Sequence, residues 1–120
     1  MRIINITPML RTWDLPESIT FYSQKLGFEL EALDEARGWA SLRLGDLQLM
    51  LSAPNVHEGD TKPAFTGSLY FHTDDVEAMW LKVKDSARVC YAPENFEYGM
   101  REFAIYDNNG YLLQFGQESE

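Results

Sequence analysis

The sequence predicts an α+β fold built from two βαβββ modules. Strand-like and helix-like segments occur in the order β-α-β-β-β twice along the 120 residues. One such unit leaves a sheet face uncovered, so we expect two units to pair. The expected product is a curved mixed sheet with helices on its outer face and a concave inner cleft. The corresponding positions are Thr7 with Ser68, Asp14 with Asp74, and Gly45-Asp46 with Asn109-Gly110.

The first module is predicted over residues 1–53 and opens with a strand over 3–10, where apolar residues alternate. Asp14 or Leu15 is expected to cap the helix that follows. Pro16 stands in the first turn of this helix, where its missing N–H costs nothing, and Gly27 ends it.

Three strands complete the first module, and a tight turn at Gly45-Asp46 joins the last two. A surface loop rich in proline and polar residues is predicted as the linker over 54–65. The three predicted strands span 28–33, 38–44 and 47–52.

The second module is predicted over residues 66–117 and repeats this plan. Asp74 is expected to cap its helix in a capping box with Glu77. Asn109-Gly110 favours a hairpin turn, and 117–120 is expected to be a polar tail. The predicted strands span 67–73, 87–91, 101–106 and 111–116, and the apolar stripe of the helix is Val76, Met79, Trp80 and Val83.

Charge and composition exclude several classes of partner. The chain has 10 Lys and Arg against 19 Asp and Glu, which gives a net charge of −9. This balance argues against nucleic acid and against anionic membranes, and it leaves room for a cationic ligand. One cysteine, no targeting signal and no apolar run long enough to span a bilayer together predict a cytoplasmic protein.

Few residues suggest chemistry by themselves. Cys90 is expected to be a buried, inert thiol, because no histidine is near it in sequence. Glu102 beside Arg101 suggests a general base with an anion clamp, although a cross-strand charge pair is the favoured interpretation. His57 and His72 are expected to have structural or solvated roles.

Four segments, taken in order, resemble the vicinal-oxygen-chelate superfamily, which contains glyoxalase I, bleomycin-resistance proteins and extradiol dioxygenases. The segment 18–28 reads SITFYSQKLGF and is similar to the recurrent S-x-x-F-Y-x-x-x-L-G-F signature. The segment 38–51 is most similar to the bleomycin-resistance branch. The other two segments are 8–15, at the first strand and helix entry, and 101–115, at the closing hairpin.

The resemblance also indicates where the metal ligands of the superfamily enzymes would fall. These positions are Thr7, Met50, Ser68 and Gln114, and none is His, Asp, Glu or Cys. A hydroxyl pair, an amide and a thioether make a poor site for a divalent cation. We therefore expect no metal, no cofactor and no catalytic residue.

The inner face is instead expected to bind a ligand. Trp39 is the predicted stacking platform, with core packing as the alternative. Phe96 and Tyr98 lie among carboxylates in the 93–99 loop and suit a cationic or flat ligand, unless they only pack the loop. The predicted ligand-binding residues are Trp39, Met50, Ser68, Tyr70, Phe96, Tyr98, Leu112 and Gln114.

These expectations favour a metal-independent small-molecule binding protein of the bleomycin-resistance type, which would sequester an antibiotic or metabolite in an aromatic cleft. The alternative is a glyoxalase- or dioxygenase-like metalloenzyme with an unusual metal site. A weaker alternative is a module that serves only as a partner subunit or sensor. The resemblance implies a homodimer, and neither nucleic acid nor membrane is an expected partner.

Overall fold

The computed structural model describes residues 1–54 and 64–119, which form two compact units. The chain passes from one unit to the other between residues 63 and 64. Most of the predicted linker, and His57 with it, lies outside the described residues. Each unit contains the βαβββ order expected from the sequence, so the α+β prediction is confirmed.

The first unit is a four-stranded mixed sheet with one helix. Strand β1 runs parallel to β4, and the other neighbours are antiparallel, in the order β1-β4-β3-β2. The elements are β1 (Met9–Arg11), α1 (Leu15–Thr20) with a π-helical continuation (Phe21–Lys25), β2 (Glu29–Asp34), β3 (Trp39–Leu44) and β4 (Leu47–Ser52).

The helical segment formed by α1 and its continuation begins and ends as the sequence predicts. The side chain of Asp14 accepts a hydrogen bond from the backbone N–H of Glu17 at 3.0 Å, and Pro16 lies in the first turn. Gly27 adopts a φ of 87°, which a side chain would disfavour, and the chain turns there into β2. The π-helical continuation was not predicted.

The prediction of a first strand over residues 3–10 is wrong at its start. Strand β1 pairs Met9 with Met50 and ends opposite Ser52. Extending this parallel register backwards places Ile6 beside Leu47, where β4 begins. Residues before Ile6 therefore have no strand beside them in this sheet, and the isoleucines of the segment are exposed.

The second unit repeats the architecture, with strand order β5-β8-β7-β6 and a parallel β5–β8 pair. Strand β8 extends into the predicted polar tail, so Gln117 belongs to the sheet. The elements are β5 (Leu69–His72), α2 (Val76–Val83), β6 (Arg88–Asn95), β7 (Met100–Tyr106) and β8 (Leu112–Glu118).

The predicted cap of helix α2 is off by one residue. Asp75, which directly precedes the helix, accepts a hydrogen bond from the N–H of Ala78 at 3.0 Å, so it takes the role expected of Asp74. Glu77 forms a salt bridge with Arg101 on β7 instead of closing a capping box. A run of two aspartates offers two candidate caps, and only the backbone geometry selects one.

Each sheet has one face against its helix. In the second unit, Phe103 and Phe115 stack at a ring-centroid distance of 5.1 Å, and Trp80 of α2 packs on Phe103. Alternation along the strands then sends Glu102 and Gln114 to the opposite face, which we call the helix-free face. Across residues 1–54 and 64–119, no helix has the length and apolar character needed to cross a bilayer.

Candidate functional site

The helix-free face of the second sheet carries a buried carboxylate surrounded by hydroxyl groups. The side chain of Glu102 is 0% exposed. Oε1 accepts hydrogen bonds from the hydroxyls of Tyr70 at 3.0 Å and Tyr98 at 2.6 Å. Oε2 accepts from the hydroxyl of Tyr91 and from Nε2 of Gln114, the latter at 3.2 Å.

A second set of contacts extends this network to the edge strand β5. Nε2 of Gln114 also donates to the hydroxyl oxygen of Tyr91 at 2.9 Å. Oε1 of Gln114 accepts from Oγ of Ser68 at 2.5 Å. We call the connected set the Glu102 cluster, which comprises Ser68, Tyr70, Tyr91, Tyr98, Glu102 and Gln114.

Strand register explains why these side chains meet. Tyr70 lies beside Gln114, and Glu102 lies opposite Gly116. A Cβ atom at position 116 would stand 2.0 Å from the hydroxyl oxygen of Tyr70. Only glycine there lets Tyr70 lie across β8 and reach the carboxylate on β7.

An aromatic stack stands beside the carboxylate. The rings of Phe96 and Tyr98 are stacked at 5.4 Å with an interplanar angle of 10°. Phe96 in turn meets Tyr91 edge-on at 5.5 Å. Tyr98 is 62% exposed although its hydroxyl reaches Glu102, so this ring presents π surface to solvent. Gly99, with a φ of 87°, turns the loop back into β7.

The electrostatics of the cluster favour one ionised group among neutral donors. Burial raises the pKa of Glu102, but the hydrogen bonds from Tyr91, Tyr98, Tyr70 and Gln114 outweigh burial and hold the pKa below its usual value. Burial and then the bond to Glu102 raise the pKa of Tyr70 to about 12. The bond to Glu102 and then burial raise the pKa of Tyr98 to about 12. At neutral pH the cluster therefore carries one negative charge.

The positions implied for a divalent metal do not fit one. In the second unit, Ser68 and Gln114 bond to each other, so their oxygens serve the hydrogen-bond network. In the first unit, Thr7 donates to Oε1 of Gln48 at 3.3 Å, and Met50 offers a thioether. Within residues 1–54 and 64–119, no three His, Cys, Asp or Glu side chains group as a metal site. The donor set lacks the anionic or imidazole ligands that such ions need.

Five of the predicted ligand-binding residues come together in the second unit. Ser68, Tyr70, Tyr98 and Gln114 belong to the Glu102 cluster, and Phe96 stacks on Tyr98. Leu112 lies on the same sheet face, two positions before Gln114, where it is half-buried opposite Tyr106.

The two predicted residues of the first unit lie on the corresponding face of its sheet. Trp39 is half-buried opposite Ser52, and Met50 lies between Met9 and Ser41. Their contact with a ligand stays a prediction.

The sequence does not predict Glu102 as the shared hydrogen-bond acceptor of the cluster. The sequence suggests a general base and an anion clamp at Glu102 and Arg101, or a cross-strand charge pair, but adjacent strand residues face opposite ways. Arg101 instead bonds to Glu77 and Asn95. Tyr91 was not singled out at all. The alternation of side chains along β7 could have indicated the position of Glu102. Glu102 and Ala104 lie on either side of Phe103 in the sequence, so they share the sheet face of Gln114.

Cys90 is exposed, so the prediction of a buried thiol is wrong. It falls on edge strand β6 where the register shifts, with Val89 opposite Ile105 and Tyr91 opposite Ala104. The extra residue at this bulge is unpaired. The hydroxyl of Tyr106 donates to Sγ of Cys90 at 3.3 Å.

Comparison with known proteins identifies the family. The model of the Glyoxalase/Bleomycin resistance protein/Dioxygenase superfamily matches residues 4–115. The chain belongs to this superfamily. A search of curated proteins found no significant match.

Solved structures share the superfamily fold with this chain. A glyoxalase/bleomycin resistance protein/dioxygenase from Nocardioides is 17% identical, with a TM-score of 0.81 over 100% of this chain and 87% of that one. TioX from Micromonospora sp. ML1 is 18% identical, with a TM-score of 0.78 over 97% and 99%. An integron cassette protein from the mobile metagenome of the Halifax Harbour sewage outfall is 22% identical, with a TM-score of 0.77 over 96% and 99%. At these identities the likeness concerns the fold alone.

Proposed function

We propose that this superfamily member is a metal-independent binding protein for small organic cations, of the bleomycin-resistance type, which sequesters an antibiotic or metabolite. The Glu102 cluster is the charged part of its binding site. One observation carries the proposal: within the part of the chain that the structure describes, Glu102 is a fully buried carboxylate whose four hydrogen-bond donors are all neutral. Such a group leaves a negative charge that a bound cation would balance.

The aromatic side chains around Glu102 support the same ligand chemistry. A phenol that donates to a carboxylate gains electron density, which strengthens the attraction between its ring face and a cation. Contacts of this kind contribute about 0.5–2 kcal/mol each. Tyr98 offers an exposed face, and Phe96 stacked behind it fixes its orientation.

The hydrogen bonding of Glu102 favours binding over catalysis. Each carboxylate oxygen already accepts two hydrogen bonds, and the pKa lies below the usual glutamate value. A general base works best with a pKa near the operating pH and with an oxygen free to take a proton. Glu102 meets neither condition, so its charge is more useful for attraction than for proton transfer.

Isothermal titration with benzyltrimethylammonium, benzyl alcohol and bleomycin tests the proposal. We expect the ammonium compound to bind more tightly than the neutral alcohol. Glu102→Gln should weaken ammonium binding by about fivefold to thirtyfold, the equivalent of about 1–2 kcal/mol. Glu118→Gln, which removes the same charge from an exposed position on β8, is the matched control and should leave affinity within about twofold.

Equal affinity of the wild type and Glu102→Gln for the ammonium compound would contradict the cation site. If bleomycin gives no heat of binding, the antibiotic part of the proposal is wrong, and a metabolite remains as the proposed ligand. Elemental analysis of the purified protein tests the alternative of a metalloenzyme, because it measures bound metal. Stoichiometric metal that a chelator removes together with a catalytic activity would overturn metal-independent binding.

We further propose that the protein is a homodimer, since two-fold dimers are the commonest assemblies and the superfamily resemblance implies one. Sedimentation velocity at several protein concentrations should show a single species of twice the chain mass of 13.8 kDa. A monomer at every concentration would contradict this prediction.

A further inference from the structure

The first unit contains a groove of about 540 Å³ between α1 and edge strand β2. Leu15 and Ile19 line its helix side, and Leu30 and Leu33 line its strand side. Glu35 is the charged residue among the described residues that line it. The volume falls in the range of about 300–1,000 Å³ that is typical of small-molecule sites.

A β-bulge creates the strand side of this groove. Leu30 lies opposite Leu42 and Leu33 opposite Ala40, and the register shifts between Leu30 and Ala32. Without the shift, two residues three apart in a strand would face opposite ways. With it, both leucines face the helix side of the sheet.

Helix α1 does not extend far enough to cover these leucines. Its main contacts are with β3 and β4. The β3 residues Leu42 and Ala40 are fully buried. Strand β2 lies beyond, and Leu30 and Leu33 remain 44% and 42% exposed. Among residues 1–54 and 64–119, nothing covers the apolar face of the sheet at this edge.

The negative charge of Glu35 indicates the kind of ligand that the groove would bind. The nearby guanidinium of Arg37 contacts Asp34 at 3.7 Å, and no residue of the described chain forms a salt bridge with Glu35. We propose that the groove binds a small cationic amphiphile, with its apolar part against the leucines and its charged group beside Glu35. The residues that line this groove belong to the first unit, and those of the Glu102 cluster belong to the second.

Titration of isotope-labelled protein with n-octylammonium, octan-1-ol and octanoate, followed by NMR, tests this site. We expect octylammonium to shift the amide and methyl signals of residues 15–20 and 30–35, and to bind more tightly than octanol and octanoate. Leu33→Arg should abolish these shifts. Leu81→Arg, at an exposed leucine of α2, is the matched control and should keep them.

Glu35→Gln tests the role of charge. It should weaken octylammonium binding by about twofold to fivefold, as expected for an exposed ion pair, and leave octanol binding unchanged. Shifts confined to other residues, or equal binding of octanoate and octylammonium, would overturn the proposal. So would a change from dimer to monomer in Leu33→Arg, because the groove would then be an interface between copies of the chain.

Discussion

Glu102 shows how a single residue can keep a charge inside a protein. A buried carboxylate without a cationic partner is costly, and it normally takes up a proton or pairs with a base. Four hydrogen bonds from neutral donors keep Glu102 ionised instead. The residues that supply these bonds are therefore as important to the site as the carboxylate itself.

Gly116 is the residue whose replacement should disturb the cluster most directly. In Gly116→Ala the new Cβ would meet the hydroxyl oxygen of Tyr70 at 2.0 Å, so the ring must move away from Glu102. We expect a loss of about 1–3 kcal/mol in the free energy of unfolding, measured in urea. Adding Tyr70→Phe removes the oxygen, which is the nearest clashing atom, and leaves Cζ at 2.8 Å as the remaining close contact. The double variant should therefore lose less than the sum of the single losses. Additive losses would contradict the proposed clash.

The lowered pKa of Glu102 predicts a pH dependence. Because its folded-state pKa lies below the unfolded value, Glu102 stabilises the fold above the ordinary glutamate pKa, and this contribution is lost as pH falls through the lowered pKa. Urea unfolding across acidic pH should therefore show a shallower loss of stability in Glu102→Gln than in the wild type. Identical pH slopes would show that Glu102 is not held ionised by its neighbours.

At the scale of elements, the helices are set by local signals and the strands by their partners. Asp14 and Asp75 cap α1 and α2 through hydrogen bonds within three residues. The strand pattern over 3–10 has no neighbouring strand before Ile6, because the parallel partner β4 begins only at Leu47. A strand pattern without a neighbouring strand does not form a sheet.

The cap of α2 gives a test with an adjacent control. Asp75→Ala removes the acceptor of the Ala78 N–H and should cost about 0.5–2 kcal/mol of stability. Asp74→Ala, one position earlier and exposed, should cost clearly less. Thermal or urea unfolding measures the stability of both variants. A larger loss of stability in Asp74→Ala than in Asp75→Ala would show that Asp74 is the cap.

At the scale of the whole molecule, the dominant property is the net charge of −9. An acidic protein attracts cations over distances comparable to the Debye length. This long-range attraction adds to the local charge of Glu102. The proposed ligand chemistry and the overall charge therefore agree.

Salt should separate these electrostatic contributions from apolar ones. As NaCl rises from about 0.01 to 1 M, the Debye length falls from about 30 to 3 Å. Benzyltrimethylammonium affinity should fall over this range, and benzyl alcohol affinity should not. Titration calorimetry at each salt concentration measures both, and a salt-independent ammonium affinity would leave the net charge without a role in binding.

Several features of the fold and of the candidate site were predictable from the sequence. Tyr70, Tyr98 and Gln114 were predicted as site residues from parity and loop composition, and they do meet. The acceptor that joins them was not predicted, because Glu102 next to Arg101 resembles an ordinary surface charge pair. Cys90 was misplaced because a bulge in β6 cannot be read from local pattern.

By itself the sequence determined the βαβββ order, the presence of two helices that begin at an aspartate and the acidic balance, since these depend on residues close together in the chain or on composition alone. The tertiary structure decided which side chains meet in the candidate site. Tyr70 and Glu102 are 32 positions apart, and Ser68 and Gln114 are 46 apart. Contacts at such separations depend on which strands pair and in what register, and hydrogen bonds between strands fix that register only when the sheet assembles.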